Sequence, residues 1–392
     1  MSPTEELVYH LCRGSFLSLW SYSNPRRADT RELCDVLVIC DPDIIIISVK
    51  DIAIGSSGDN SLDASRWFRR AIEDSVAQIF GAERELSRLT HVIRHDGSQG
   101  LPLPPADGRR IYRLSVSLGS RGRVAIPSGD FGRGFAHVLD DYSLHAVLRG
   151  LDTITDFVSY LRAKEDYPSE IISAGEEQLL ALYLDNNRQI PPKDRLVIPP
   201  GLWEELVARP EYRAKINNND VSYIWDALIE RIAGHHLQGQ LELSGNLADP
   251  ERALRMMARE TRFDRRLLSR VTVDFSERAK RREIESRMVR SPSGILYVLL
   301  RKPPETLRTD RQAELQLRCY VARGVRQECT TIVGIATEVE RAPQGFSIDL
   351  CYLEKPAWTA ADQERLREIQ ADLGIFASAK QSSHHEKEYP SP

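Results

Sequence analysis

Residues 32–51 read ELCDVLVICDPDIIIISVKD: two β-prone apolar runs joined by Cys40-Asp41-Pro42-Asp43, a turn composition. The sequence predicts strands over 33–39 and 44–49, paired as an antiparallel hairpin. The run Ile44 to Ile47 carries no polar alternation, which is the pattern of a central strand covered on both faces. Two charged residues stand out against this background. Alternation puts Asp35 on one face with Leu37 and Ile39, and Lys50 on one face with Ile46 and Ser48. A carboxylate, a hydroxyl and an ammonium are therefore expected close together at the edge of the sheet.

Around the hairpin the pattern is mixed. Apolar residues at Leu7, Val8, Leu11, Cys12, Phe16 and Leu19 predict a helix over 4–20, capped by Thr4. A Gly/Ser-rich loop near Gly55 precedes a helix over 62–89. Strands are expected over 109–118 and 135–139, and a helix over 143–164. The sum over 1–168 is an α/β unit with a mixed sheet flanked by helices. A mostly helical middle segment is expected over 169–290, with helices over 176–184, 202–208, 221–234 and 248–269. A smaller α/β unit is expected over 291–376, with strands over 294–300, 332–337 and 346–353 and helices over 311–323 and 359–373. A polar, disordered tail is expected over 377–392. No internal repeat is visible.

Composition bounds the function. The chain has 392 residues, 41% hydrophobic and 28% charged, as in globular proteins with more than one domain. No apolar run approaches the roughly 20 residues of a membrane helix, and the first residues lack the pattern of a secretory signal. Six cysteines without a Cys-x-x-Cys pair suggest reduced thiols and a cytoplasmic setting. A net charge of −4 gives no global basic field, so a polyanion partner would need a local groove.

The hairpin's polar residues suit phosphodiester chemistry. A carboxylate can hold a hard divalent cation, and a lysine can orient water beside a phosphate. An ion pair between Asp35 and Lys50 is the structural alternative. The order of an acid on the first helix (Glu6, or Glu5), then Asp35 on one strand and Lys50 ending the next, resembles the PD-(D/E)XK, restriction-endonuclease-like nucleases. The following helix carries Arg66-Trp67, Arg69-Arg70 and Gln78, and in such nucleases it supplies a glutamine and basic residues to the site. The chain also resembles an uncharacterised bacterial family with ELCDVLV, IIIISVK and RAIEDSVAQIFGAER. The resemblance implies Asp35 as a Mg²⁺ or Mn²⁺ ligand helped by Glu6, Lys50 as the catalytic lysine, and Gln78 as a site residue. It also implies that Arg66, Arg69 and Arg70 contact DNA, more than RNA, and that the chain serves bacterial defence. One position departs from the family: its second acid is Ser48 here, a poorer ligand for a hard cation. Either Asp51, Glu73 or Glu83 replaces that acid, or the fold serves as a catalytically inactive binding scaffold.

Other signals are weaker. Arg109, Arg110, Arg113, Arg121 and Arg123 flank a glycine-bearing loop that could cradle phosphate. Seven arginines against three acids over 251–270 suggest either a nucleic-acid track or a solvated, ion-paired helix face. His235 and His236 have no metal-ligand spacing. The C-terminal unit carries no chemical motif, and a homodimer or protein contact is its expected role.

Overall fold

The computed structural model of the chain describes residues 2–124, 126–237, 250–338, 347–377 and 386–390. It divides into two compact units, Met1–Arg213 and Ala214–Pro392. The boundary falls inside the helical middle stretch, whose first part packs with the N-terminal unit.

The N-terminal unit opens with α1 (Pro3–Phe16). Its cap is Ser2, not Thr4: the Ser2 hydroxyl accepts from the Glu5 N–H while the Glu5 carboxylate accepts from the Ser2 N–H. Thr4 instead donates to the Asp51 carboxylate at 2.7 Å. Strands β1 (Ser21–Ser23), β2 (Val36–Cys40) and β3 (Asp43–Asp51) follow as an antiparallel meander. Strand β2 starts at Val36, later than expected, because loop 24–27 takes up the preceding backbone groups. Asn24 N–H donates to Asp35 O and Leu33 N–H to Pro25 O. Next come α2 (Asn60–Phe68), a π-helical turn (Arg69–Glu73) and α3 (Asp74–Leu86) in one continuous run.

After a small hairpin of β4 (His91–Ile93) and β5 (Gln99–Pro102), β6 (Arg110–Leu118) joins the main sheet. The short β7 (Gly129–Asp130) and β8 (Phe135–Leu139) complete it in the order β1-β2-β3-β6-β8-β7. Strands β3, β6 and β8 are mutually parallel, so their C-terminal ends share one edge. The expected helix over 143–164 is two helices, α4 (Ser143–Gly150) and α5 (Ile154–Glu165), because the Thr153 side chain caps the second.

One face of the hairpin packs under α3: Leu37, Ile39, Ile44 and Ile46 form a buried cluster with Ile79, Ala82 and Leu86. The opposite residues Val36, Val38, Ile45 and Ile47 are also fully buried, as the unbroken apolar run predicts for a strand covered on both faces. Gly119 follows β6 with φ +93°, and a Cβ there would stand 2.4 Å from the Ile52 carbonyl oxygen. The unit ends with β9 (Glu170–Ser173), α6 (Glu176–Asp185), β10 (Arg195–Ile198) and α7 (Leu202–Ala208). The parallel pair β9/β10 lies where only helices were expected. Helix α8 (Pro210–Asn219) begins at a proline, which suits a first helical turn.

The C-terminal unit contains α9 (Tyr223–Leu237), α10 (Pro250–Ala258) and α11 (Arg262–Lys280). The expected helix over 248–269 is broken before Thr261, which caps α11. A four-stranded sheet follows: β11 (Ser286–Arg290), β12 (Leu296–Lys302), β13 (Thr331–Glu338) and β14 (Ile348–Glu354), in that order. Strand β11 was not foreseen. Helix α12 (Arg308–Val325) crosses between the parallel strands β12 and β13. Its Leu315 and Cys319 press so closely on Gly334 that a Cβ there would stand 2.4 Å from the Cys319 sulfur. Helix α13 (Ala360–Leu373) packs beside α12, with Leu366 and Ile369 against Val321. All six cysteines are buried thiols. Part of the strand expected over 346–353 and most of the tail lie outside the described residues. Among the described residues no helix is long and apolar enough to cross a membrane.

Candidate functional site

Register brings the polar residues of the hairpin together. Val36 pairs with Ile47, so Asp35 stands opposite Ser48 at the point where β2 gives way to loop. The Asp35 carboxylate accepts the Val49 N–H at 2.5 Å, substituting for a backbone acceptor. Val49 lies between Ser48 and Lys50, which share the face of β3 turned toward α3. Ser48, almost fully buried, donates to Gln78 Oε1 of α3 at 3.2 Å. Strand β6 extends the polar row: Ser115 is in register with Ser48, and Ser117 with Lys50. Ser115 bonds to Ser75 and to Ser117, each at 2.9 Å, and Ser117 donates to the Ala71 carbonyl at 2.9 Å. These buried hydroxyls are satisfied among themselves and by the π-helical turn. They form a polar floor behind Lys50 that the sequence reading missed.

The Lys50 side chain is half-buried and makes no hydrogen bond or ion pair among the described residues. The structural ion pair with Asp35, the plainest alternative, is therefore not formed. Its neighbour Gln78 is exposed, so the row opens to solvent at α3.

Negative charge gathers on the other side of Asp35. Burial pushes its carboxyl up from 3.8 to about 6; the Val49 N–H works against this, while the side chain and charge of Glu32 and the charge of Glu5 push further up. Counted as part of a strand, Glu32 would face away from Asp35, but residues 32–35 precede β2 and strand parity does not apply to them. Its carboxylate accepts from the Asn24 side chain at 2.9 Å. Of the two acids expected from the first helix, Glu5 is the one whose charge reaches Asp35. Glu6 lies 3.7 Å from His10 on an open helix face, each side chain 59% exposed. The acids considered as replacements at Ser48 are placed otherwise. Asp51 holds Thr4, Glu83 clamps Arg113 through two contacts of 2.6 Å, and Glu73 is exposed.

Among the described residues no three His, Cys, Asp or Glu side chains gather closely enough to hold a metal by themselves. The donors present are nonetheless all oxygens, and Asp35 is a crowded carboxylate whose repulsion a cation would relieve. Mg²⁺ commonly takes only one or two carboxylates, leaving its other positions to water and phosphate oxygens. The residues fit that ion with Asp35 as anchor.

The basic residues sort by partner. Arg66, Arg69 and Arg70 are exposed on α2 and the π-helical turn, and none has a partner among the described residues. By contrast, Arg109 donates to the carbonyls of Pro104, Leu86 and Leu89, and Arg123 to Gly55 and Asn60. The N–H groups of Gly119 and Arg121 already hold the Asp141 carboxylate, so this loop's anion position is filled from within. In the C-terminal unit, Arg262 and Arg265 pair with Asp226, and Arg265 is completely buried. Much of the arginine run over 251–270 is thus internal structure.

Comparison with protein-family models, curated proteins and solved structures gives no match for this chain.

Proposed function

We propose that the N-terminal unit is a restriction-endonuclease-like (PD-(D/E)XK) domain that hydrolyses phosphodiester bonds in DNA with the help of Mg²⁺ or Mn²⁺. One observation carries the reading: the Lys50 side chain is half-buried yet has no partner among the described residues, next to a backbone N–H held by an acid with raised proton affinity. Burying a cation without a partner costs stability, and its retention is what a site awaiting an anionic ligand would show. The element order also supports it: helix, antiparallel hairpin, helix, then a strand parallel to the hairpin's second strand. The row lies at the carboxyl ends of parallel strands, where open α/β sheets place ligands.

In this reading Asp35 would hold the metal, with Glu32 and Glu5 adding negative charge nearby; the ion supplies Lewis-acid polarisation of the phosphate. Lys50 orients the attacking water and steadies charge on the phosphoryl oxygens. Ser48 and Gln78 fix the wall beside it. Arg66, Arg69 and Arg70 present three guanidinium groups to the backbone of the duplex. A role in bacterial defence fits this activity.

The second reading is a catalytically inactive scaffold of the same fold, favoured by Ser48 in place of an acid. Incubating the chain with supercoiled plasmid and Mg²⁺ or Mn²⁺ separates the two. The nuclease reading expects nicking or linearisation that vanishes in Lys50→Ala, with an RNA substrate as the comparison arm. Equal inertness of both proteins across metals leaves the scaffold.

A further inference from the structure

The described part of the C-terminal tail, Glu386 to Pro390, is not loose. It occupies a cationic socket on α8 and α11 of the C-terminal unit. The Glu386 carboxylate lies 3.1 Å from both Arg266 and Arg270. Arg266 also donates to the Lys387 carbonyl at 2.7 Å, to the Glu388 carbonyl at 3.4 Å and to Asn219 Oδ1 at 3.2 Å. Lys215 pairs with the Glu388 carboxylate at 2.9 Å and donates to the Tyr389 hydroxyl at 3.3 Å. The Tyr389 ring covers the Lys215 ammonium at 4.6 Å. Arg266 and Lys215 are buried at 0% and 4% exposure, so two cations are built into this surface and receive anions from a segment of only a few residues.

The tail's side of the contact is almost entirely polar: carboxylates, main-chain carbonyls and one aromatic ring. The segment is held by a few ion pairs and hydrogen bonds over residues 386–389, whereas the socket is fixed by two helices. A chain with acidic groups two residues apart, at most about 7 Å, and a ring stacked on a cation has the elements of a single nucleic-acid strand, phosphates and base alike. We propose that the Lys215–Arg266–Arg270 socket is a single-stranded nucleic-acid site and that residues 386–389 occupy it as an internal competitor. This proposal does not depend on the hydrolytic reading of the N-terminal unit, because binding is measured without divalent metal.

The test uses the full chain and a labelled oligo(dT) in EDTA, read by fluorescence anisotropy. Glu386→Gln with Glu388→Gln should weaken the competitor and tighten binding by about tenfold, the gain expected when the open socket is a minority state. Adding Arg270→Ala, whose side chain is half-exposed, should erase that gain. An unchanged affinity in the double variant overturns the proposal, as does a fall in Tm without tighter binding, which would make the tail a structural staple. Displacement of the tail by an acidic peptide but not by the oligonucleotide also overturns it, identifying a protein-binding socket instead.

Discussion

Lys50 and Asp35 differ in what their loss should do. The Lys50 side chain makes no hydrogen bond or ion pair among the described residues, so Lys50→Ala should leave Tm unchanged or slightly raised while abolishing metal-dependent plasmid nicking. A large drop in Tm would instead mark Lys50 as structural. Asp35 carries a pH signature. With its carboxyl raised from 3.8 to about 6, chiefly by burial, the folded chain holds a proton there that the unfolded chain has lost. The stability this gives is complete below the unfolded value and is lost as pH rises through about 6. Asp35→Asn keeps an acceptor for the Val49 N–H, so thermal melts should show it more stable than wild type at neutral pH and equal near about pH 4. Mn²⁺ should raise the Tm of wild type and not of Asp35→Asn. Nicking should rise with pH along a limb near about 6, as the carboxylate becomes available.

At the scale of elements, α2 and the π-helical turn carry three arginines without a partner among the described residues, whereas in the loop after β6 the Arg123 side chain and the N–H groups of Gly119 and Arg121 are bound internally. Replacing Arg66, Arg69 and Arg70 together by Ala should weaken DNA binding across sequences and flatten the slope of log K against log salt by about 2–3. A filter-binding salt titration checks this; an unchanged slope would place the duplex elsewhere. The close approach of Gly119 to Ile52 makes a second element-level statement. Gly119→Ala would drive a Cβ onto a carbonyl at a φ only glycine tolerates, and a loss of about 2 kcal/mol or more is expected in chemical denaturation.

The whole molecule consists of two compact units that share a motif the sequence does not advertise. In each, an antiparallel hairpin is followed by a helix and a strand parallel to the hairpin's second strand. In the C-terminal unit the lysine at the end of that second strand, Lys302, is paired with Glu285 at 3.1 Å and Glu314 at 2.8 Å. The matching lysine of the N-terminal unit has no side-chain partner among the described residues. A fragment ending at the boundary between the units, residues 1–213, should fold cooperatively and keep the proposed metal-dependent nicking. Aggregation or loss of the melting transition would show that the N-terminal unit needs the rest of the chain.

The hairpin was legible in the sequence because side-chain alternation and turn chemistry are local: strands β2 and β3, their shared face and the polar set Asp35, Ser48 and Lys50 follow from a few neighbouring residues. Helices with strong apolar spacing, such as α7 and α13, were legible for the same reason. Tertiary structure decided what depends on distant partners. Backbone bonds from loop 24–27 ended β2 early and put Glu32 beside Asp35, against its strand parity. The placement of α1 brought the charge of Glu5, not Glu6, to bear on Asp35. The serine floor, the short strands β9, β10 and β11, and the docked tail segment exist only through pairing across long stretches of chain. Periodicity reports which face a residue presents, whereas hydrogen bonds and charges act through space, so only the assembled fold fixes which groups meet.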